Sequence, residues 1–391
     1  MSRRTVVVAA LGSTQTLAWA SSYYVPAVLG QPIAAGLGLS TETFFGVFSA
    51  ALLLSAAVGP AVGRMIDRQG GRTTLAASNL VLALGLAMLA AAQGIVGLAA
   101  AWAVLGLGMG MGLYDPAFAA LTAIYGRDAR GAITGITLIA GFASTIGWPA
   151  SAWFEHSFGW REACLIWAGL NLLLAMPLNW LVIPQGAVVH ARAAAEPTAA
   201  EPEPPPGAMP VLAFFFSAAW FVTGAMAAHL PRLLQAAGAS HTAAIAAAAL
   251  VGPAQVGARI VEFSLLRAFH PVVSARVAAI LHPLGAAVLL ALGPAGAVAF
   301  ALLHGAGNGM ITIAKGTLPL AIFGPVGYGQ RSGVLSAPAR VLQSAAPFLF
   351  GVLLDGCGSE AVLLSAGLSL AACGSLFALR ARRPAAAPLT S

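Results

Sequence analysis

The chain has 391 residues, of which 59% are hydrophobic and 8% charged, and its mean hydropathy is +0.87. No soluble core of this size buries so much apolar surface, so the composition excludes an ordinary globular protein and points to a lipid bilayer. The formal charge of +7 raises nucleic acid as a partner, and the placement of the cations along the chain removes it.

A helix that crosses the hydrocarbon layer needs roughly 20 apolar residues. Twelve such runs, each bounded by charge, Gly or Pro, are predicted at 6–30, 43–63, 73–93, 97–119, 132–154, 162–183, 209–230, 241–263, 272–292, 294–316, 332–355 and 361–380. The first follows "MSRR" as a signal peptide would, but it continues through Tyr23 and Tyr24 to Leu29 without a cleavage site, so it is read as a span. Residues 184–208 are rich in Pro, Ala and Glu and poor in apolar bulk, which predicts a cytoplasmic linker between six-helix halves at 1–183 and 209–391.

With the N-terminus placed inside, Arg3, Arg4, Arg64, Arg68, Arg72, Arg127, Arg130, Arg192, Arg267, Arg276, Arg331, Arg380, Arg382 and Arg383 fall in inner segments. Only Arg161 and Arg232 fall outside. This bias predicts an inner-membrane protein with both termini cytoplasmic, and it reads the net charge as topology. Cys164, Cys357 and Cys373 are scattered without CxxC spacing, so neither a disulfide framework nor a metal site is expected.

The halves repeat. "VGPAVGRMID" from Val58 is echoed by "VGPAQVGARIVE" from Val251, and "GLGMGMGLYD" from Gly106 by "GAGNGMITIAK" from Gly305. Two parallel six-helix repeats suit a rocking bundle with a site at the midplane, and the glycines suit closely packed, sliding helices. Between the second and third spans lies "GRMIDRQGGR", in which Gly63, Asp67, Arg68, Gly70 and Arg72 resemble the loop motif of the major facilitator superfamily, with Gly71 where a basic residue often sits. The resemblance covers nearly the whole chain. It implies an all-α membrane fold of twelve helices in two pseudo-symmetric bundles, alternating access, and a gating role for Asp67 and Arg68 as a charged clasp.

Ionisable groups at bilayer depth are costly and therefore informative. The spans hold Asp115, Arg259, Glu262, Lys315 and Arg340. Three cations in the C-terminal half facing one anion in the N-terminal half predict a cavity for an anion, because a guanidinium grips a carboxylate through two parallel hydrogen bonds. Arg259, Arg340 and Lys315 are the expected substrate contacts, helped by Tyr24 and Tyr114, with Tyr23 beside them. Asp115, Glu262, His229 and His304 are the candidate proton sites, with His282 as a further histidine at depth. Plainer alternatives stand beside these. Arg259 and Glu262, three apart, would neutralise each other; Lys315 would snorkel to the surface; Arg340 would pair with Asp115 or a carbonyl; the histidines and tyrosines would be packed aromatics.

"SSYYVPAVLGQPIAAGLGLS" from Ser21 and "AAHLPRLLQAAG" from Ala227 resemble the first and seventh helices of monocarboxylate-porter-like members. That resemblance implies a carboxylate-binding arginine in the eighth helix, matched by Arg259; the acidic partner position holds Gln255, and Ala27 stands where a lysine is found in that group. The expected function is secondary active transport of a small organic anion, a monocarboxylate, by a monomer, with protons as a possible coupling ion. The alternative is proton-coupled export of drugs or toxic molecules including metalloids; "GFASTIGWPAS" from Gly141 lacks the Gly-Pro pair of many such exporters. No hydrolase elbow, zinc-protease or P-loop motif is present, so no enzyme and no cofactor is expected.

Overall fold

The computed structural model describes residues 3–184 and 204–379, and the secondary structure among them is helical. Most of the expected linker, and the tail after Leu379, lie outside the described residues. In chain order the helices are α1 (Arg3–Ala20), α2 (Val25–Gly36), α3 (Thr41–Gln69), α4 (Arg72–Ala91), α5 (Gly94–Gly112), α6 (Tyr114–Tyr125), α7 (Ala129–Ala140), α8 (Ala143–Phe158), α9 (Trp160–Leu170) and α10 (Met176–Val182). The C-terminal half continues with α11 (Ala208–Ala236), α12 (His241–Ala249), α13 (Val251–Ser264), α14 (Pro271–Leu292), α15 (Ala297–Phe323), α16 (Tyr328–Cys357) and α17 (Val362–Ser375).

Eight segments are long and apolar enough to cross a membrane. Three of them, Gly94–Phe158, Pro271–Phe323 and Tyr328–Ser375, are bent pairs of spans, and the broken pair α1–α2 completes the twelve. Several spans predicted as continuous are interrupted. The first breaks at residues 21–24, where Pro26 then opens α2. The fourth breaks at Leu113, which puts Asp115 in the first turn of α6, where a carboxylate meets the positive end of the helix dipole. The fifth breaks at residues 141–142, the eighth at Leu250, and the sixth carries a π-helical turn at Asn171–Ala175. α3 is closed at its start by Ser40, which accepts from the Thr43 amide at 3.2 Å, and at its end by Gly70, whose φ of 81° favours glycine.

Helix pairing makes the pseudo-symmetry visible. α1–α7, α3–α5, α4–α5 and α4–α9 in the first half correspond to α11–α16, α13–α15, α14–α15 and α14–α17 in the second. Between the halves the substantial contacts are α3–α16, α6–α16, α7–α13 and α7–α15. At the end that carries the 63–72 loop, one apolar core runs through both halves, joining Phe118, Ile133 and Ile136 to Leu320 and Tyr328. At the other end each half keeps its own core, one around Leu29, Trp102 and Trp167, the other around Phe300, Phe350 and Leu234. The halves therefore share a core at one end and keep separate cores toward the other.

Candidate functional site

The closed end rests on glycine. A Cβ on Gly63 would strike the Gly329 carbonyl, one on Gly329 would lie 2.5 Å from the Gly63 oxygen, and one on Gly333 would lie 2.7 Å from Gly59. The spacing of four in both α3 and α16 places two bare backbones face to face, as in small-residue helix pairs within membranes. Asp67, one turn past Gly63, accepts from the Gly329 amide at 2.8 Å and the Gln330 amide at 2.9 Å. These are unsatisfied donors at the start of α16, so a carboxylate there is held by hydrogen bonds and helix dipole together. Arg68 is exposed and has no hydrogen-bond or ion-pair partner among the described residues, while Arg72 stacks its guanidinium 4.7 Å from the Trp180 ring. Of the loop motif, Asp67 and Gly63 make the contact between halves.

A second clasp closes the same end from the opposite side. Arg130, at the start of α7, donates to Glu262 at 3.0 Å and to the carbonyls of Phe269 and Leu266 at 2.6 and 3.2 Å. Glu262 is 1% exposed and also accepts from Ser274 at 3.4 Å. Next to it His270 caps α14 by accepting from the Val272 amide at 3.3 Å. Burial, with help from the Arg130 and Arg276 charges, shifts the His270 imidazole below its ordinary pKa, in keeping with its role as an acceptor. Glu262 thus pairs across the halves with Arg130, not with its helix neighbour Arg259. We expect Glu262→Gln to lower the unfolding free energy by about 1.5–3 kcal/mol, the worth of a charged hydrogen bond. Detergent melting curves check this; the exchange Arg130→Glu with Glu262→Arg should recover part of the loss.

Deeper between the halves, Asp115 of α6 meets two cations of the C-terminal half. Lys315 Nζ lies 2.8 and 2.9 Å from its two oxygens and Arg340 Nη2 lies 3.4 Å away. All three side chains are buried. α15 continues to Phe323, so Lys315 sits two turns inside the helix and pairs instead of reaching the surface, with Trp220 5.3 Å beneath its ammonium. Arg340 likewise takes the pairing alternative.

Arg259 stands apart from this triad. It is 5% exposed and has no carboxylate within ion-pair distance among the described residues. Its Nε donates to the Gly309 carbonyl at 3.4 Å, Nη1 to the Thr137 carbonyl across the halves at 3.2 Å, and Nη2 to Gln255 at 3.5 Å. A guanidinium has five N–H donors. Three are engaged, at long distances, which leaves one on each terminal nitrogen. Thr137 lies in the last turn of α7, where the negative end of the helix dipole favours a cation, and its carbonyl accepts from the Gly141 amide at 2.9 Å as well as from Arg259. Gly141, at the break, has no Cβ because one would collide with Arg259 Nη1. Neither the Tyr24 nor the Tyr114 hydroxyl has a hydrogen-bond partner among the described residues. Tyr23 instead accepts from Gln343 of the other half at 3.4 Å.

The histidines lie elsewhere. His229 Nε2 donates to the Pro347 carbonyl at 2.7 Å. His282 and His304 face each other through Nδ1 at 3.1 Å inside the C-terminal bundle, and His282 Nε2 meets Ser365 at 2.9 Å. Ser365 donates to the Val362 carbonyl, so it accepts from His282, which in turn accepts from His304. Sequence reasoning passed over Arg130, counted only as a topology charge, and the partner pair Gly329 and Gly333, whose spacing of four was the available signal.

Paired helices of this symmetry, with Asp67 closing one end, match the sequence profile of the Major Facilitator Superfamily over residues 11–298. The chain belongs to that superfamily of transporters and is a multi-pass membrane protein with its twelve-helix, two-bundle fold. Among solved structures it is similar to the human organic anion transporter MFSD10 (TETRAN), with TM-score 0.71 and 14% identity over 96% of this chain and 100% of that one. It is also similar to a variant of the E. coli Fucose:proton symporter FucP, with TM-score 0.72 and 13% identity over 97% and 100%. FucP in its outward conformation gives 0.69 and 14% over the same shares. At these identities the likeness concerns the fold. No curated protein matches the chain in sequence.

Proposed function

We propose that the chain is an inner-membrane secondary transporter that moves a small organic anion, a monocarboxylate, by alternating access. The observation that carries this reading is Arg259: of the cations set between the halves, it alone lacks a carboxylate among the described residues. Lys315 and Arg340 share Asp115 and Arg130 has Glu262, so an anion is wanted at one place. The match of Arg259 to the monocarboxylate-porter-like pattern supports the assignment, and the solved relatives include an organic anion transporter and a proton symporter. The arginine-rich loops support cytoplasmic termini, which makes the clasped end cytoplasmic and the opposite end outward. The halves 1–183 and 209–391 rock about Asp115, the group best placed to release its cations on taking up a proton.

The test is uptake into liposomes of purified protein, against a panel of carboxylates and lipophilic cations. Uptake of a carboxylate that falls at least a hundredfold in Arg259→Gln, with the variant still monodisperse, is expected. Uptake only of lipophilic cations, or carboxylate uptake indifferent to Arg259, would favour the exporter and overturn the reading.

A further inference from the structure

Arg259 of the C-terminal half reaches the α7–α8 break of the N-terminal half, its Nη1 on the Thr137 carbonyl and against Gly141, and α8 then carries Trp148. The C-terminal half supplies the cation; the N-terminal half supplies aromatic rings. Trp19 lies 4.9 Å from Tyr114, 5.2 Å from Tyr23 and 6.0 Å from Tyr24, centroid to centroid. Tyr24 in turn meets Trp148 edge-on at 5.8 Å, and Trp148 is 45% exposed. The Trp19 indole nitrogen is buried without an acceptor among the described residues.

The wall is built on a fixed turn. Tyr23 and Tyr24 occupy the break between α1 and α2, and Ser21 at its start accepts from Asn171 Nδ2 at 2.8 Å. Asn171 also accepts from Asn79 at 3.1 Å, and Asn79 accepts from Asn179 at 2.7 Å, so a ladder of buried amides anchors the break to α4, the π-helical turn and α10. Anchored aromatic faces are suited to recognising a ring, since offset or edge contacts between rings add to simple apolar burial.

We infer that the transported anion is an aryl monocarboxylate, its carboxylate on Arg259 and its ring against the Trp19, Tyr24 and Trp148 wall. The inference rests on the anion reading above. One carboxylate is specified, because Lys315 and Arg340 are occupied by Asp115. A ring is specified, because a bare carboxylate would leave the Trp19, Tyr24 and Trp148 faces of the N-terminal half unmatched, whereas a ring-bearing one covers them.

The experiment titrates the purified full chain in detergent with benzoate, phenylacetate, cyclohexanecarboxylate, acetate, lactate, terephthalate and benzyl alcohol, read by melting temperature and tryptophan fluorescence. Benzoate or phenylacetate should bind at least tenfold tighter than acetate or lactate and severalfold tighter than cyclohexanecarboxylate, with terephthalate and benzyl alcohol weaker still. Trp148→Leu, a change at a half-exposed site, should shrink the benzoate-to-acetate ratio severalfold and leave acetate unmoved. If acetate and lactate bind as tightly as benzoate, or the saturated ring binds as well as the aromatic one, while Arg259→Gln abolishes all, the ring inference falls and the anion reading stands. If no carboxylate binds, or binding survives Arg259→Gln, the anion reading falls and takes the inference with it.

Discussion

Gly63→Ala is expected to force the clasped end apart and to reduce transport by more than tenfold while leaving a folded protein. The added methyl would occupy the position of the Gly329 carbonyl, which is backbone and cannot rotate away. α3 and α16 must then separate, Asp67 loses the amides of Gly329 and Gln330, and the balance moves toward the state in which this end is open. Spin labels at Arg64 and Gln330, in a background without Cys164, Cys357 and Cys373, report the change. A distance distribution longer by several ångströms in Gly63→Ala is the expected result, and Asp67→Asn should move it the same way by less. Identical distributions for Gly63→Ala and the parent would show that the glycine pairing does not hold this end closed.

The second large effect concerns Asp115. Asp115→Asn removes the anion that Lys315 and Arg340 share and leaves two buried cations facing each other. Breaking a buried pair in this way costs about 3–5 kcal/mol, because the abandoned charge keeps its desolvation penalty. The variant should melt well below the parent. It should also be stabilised by chloride or sulfate more than the parent is, since the freed cations then accept small anions. Adding Lys315→Met should return part of the lost stability, a coupling that a pair of independent sites would not show. Superimposable melting curves for Asp115→Asn and the parent would remove the triad from any account of how the halves hold together.

The twelve spans and the clasp loop were legible in the sequence because both depend on local signals, apolar run length and a spaced set of charges and glycines. The interruptions were harder to read. Leu113 breaks its span just before Asp115 and Pro116, and hydropathy, apolar on both sides, does not by itself distinguish a bend from a straight helix there. The ionisable residues were found as individuals, and their pairings were not. Glu262 sits three residues from Arg259, so local spacing favoured that pair, yet the fold brings Arg130 from the other half to 3.0 Å. Partner choice for a buried charge is decided by tertiary approach, and a single sequence carries no direct record of it.

The facing glycines of α3 and α16 have a consequence for the speed of switching. A contact made of backbone alone has no rotamers to freeze when it forms and none to release when it parts. Its two surfaces can separate and re-seat without any side chain having to find its place, like the smooth faces of a bearing, while the Asp67 carboxylate on the amides of α16 acts as the detent. The glycine contact thereby adds no rotameric barrier of its own, and control of the cycle falls to the charged contacts that flank it, Asp67 on α16, Arg130 on Glu262 and Asp115 between Lys315 and Arg340.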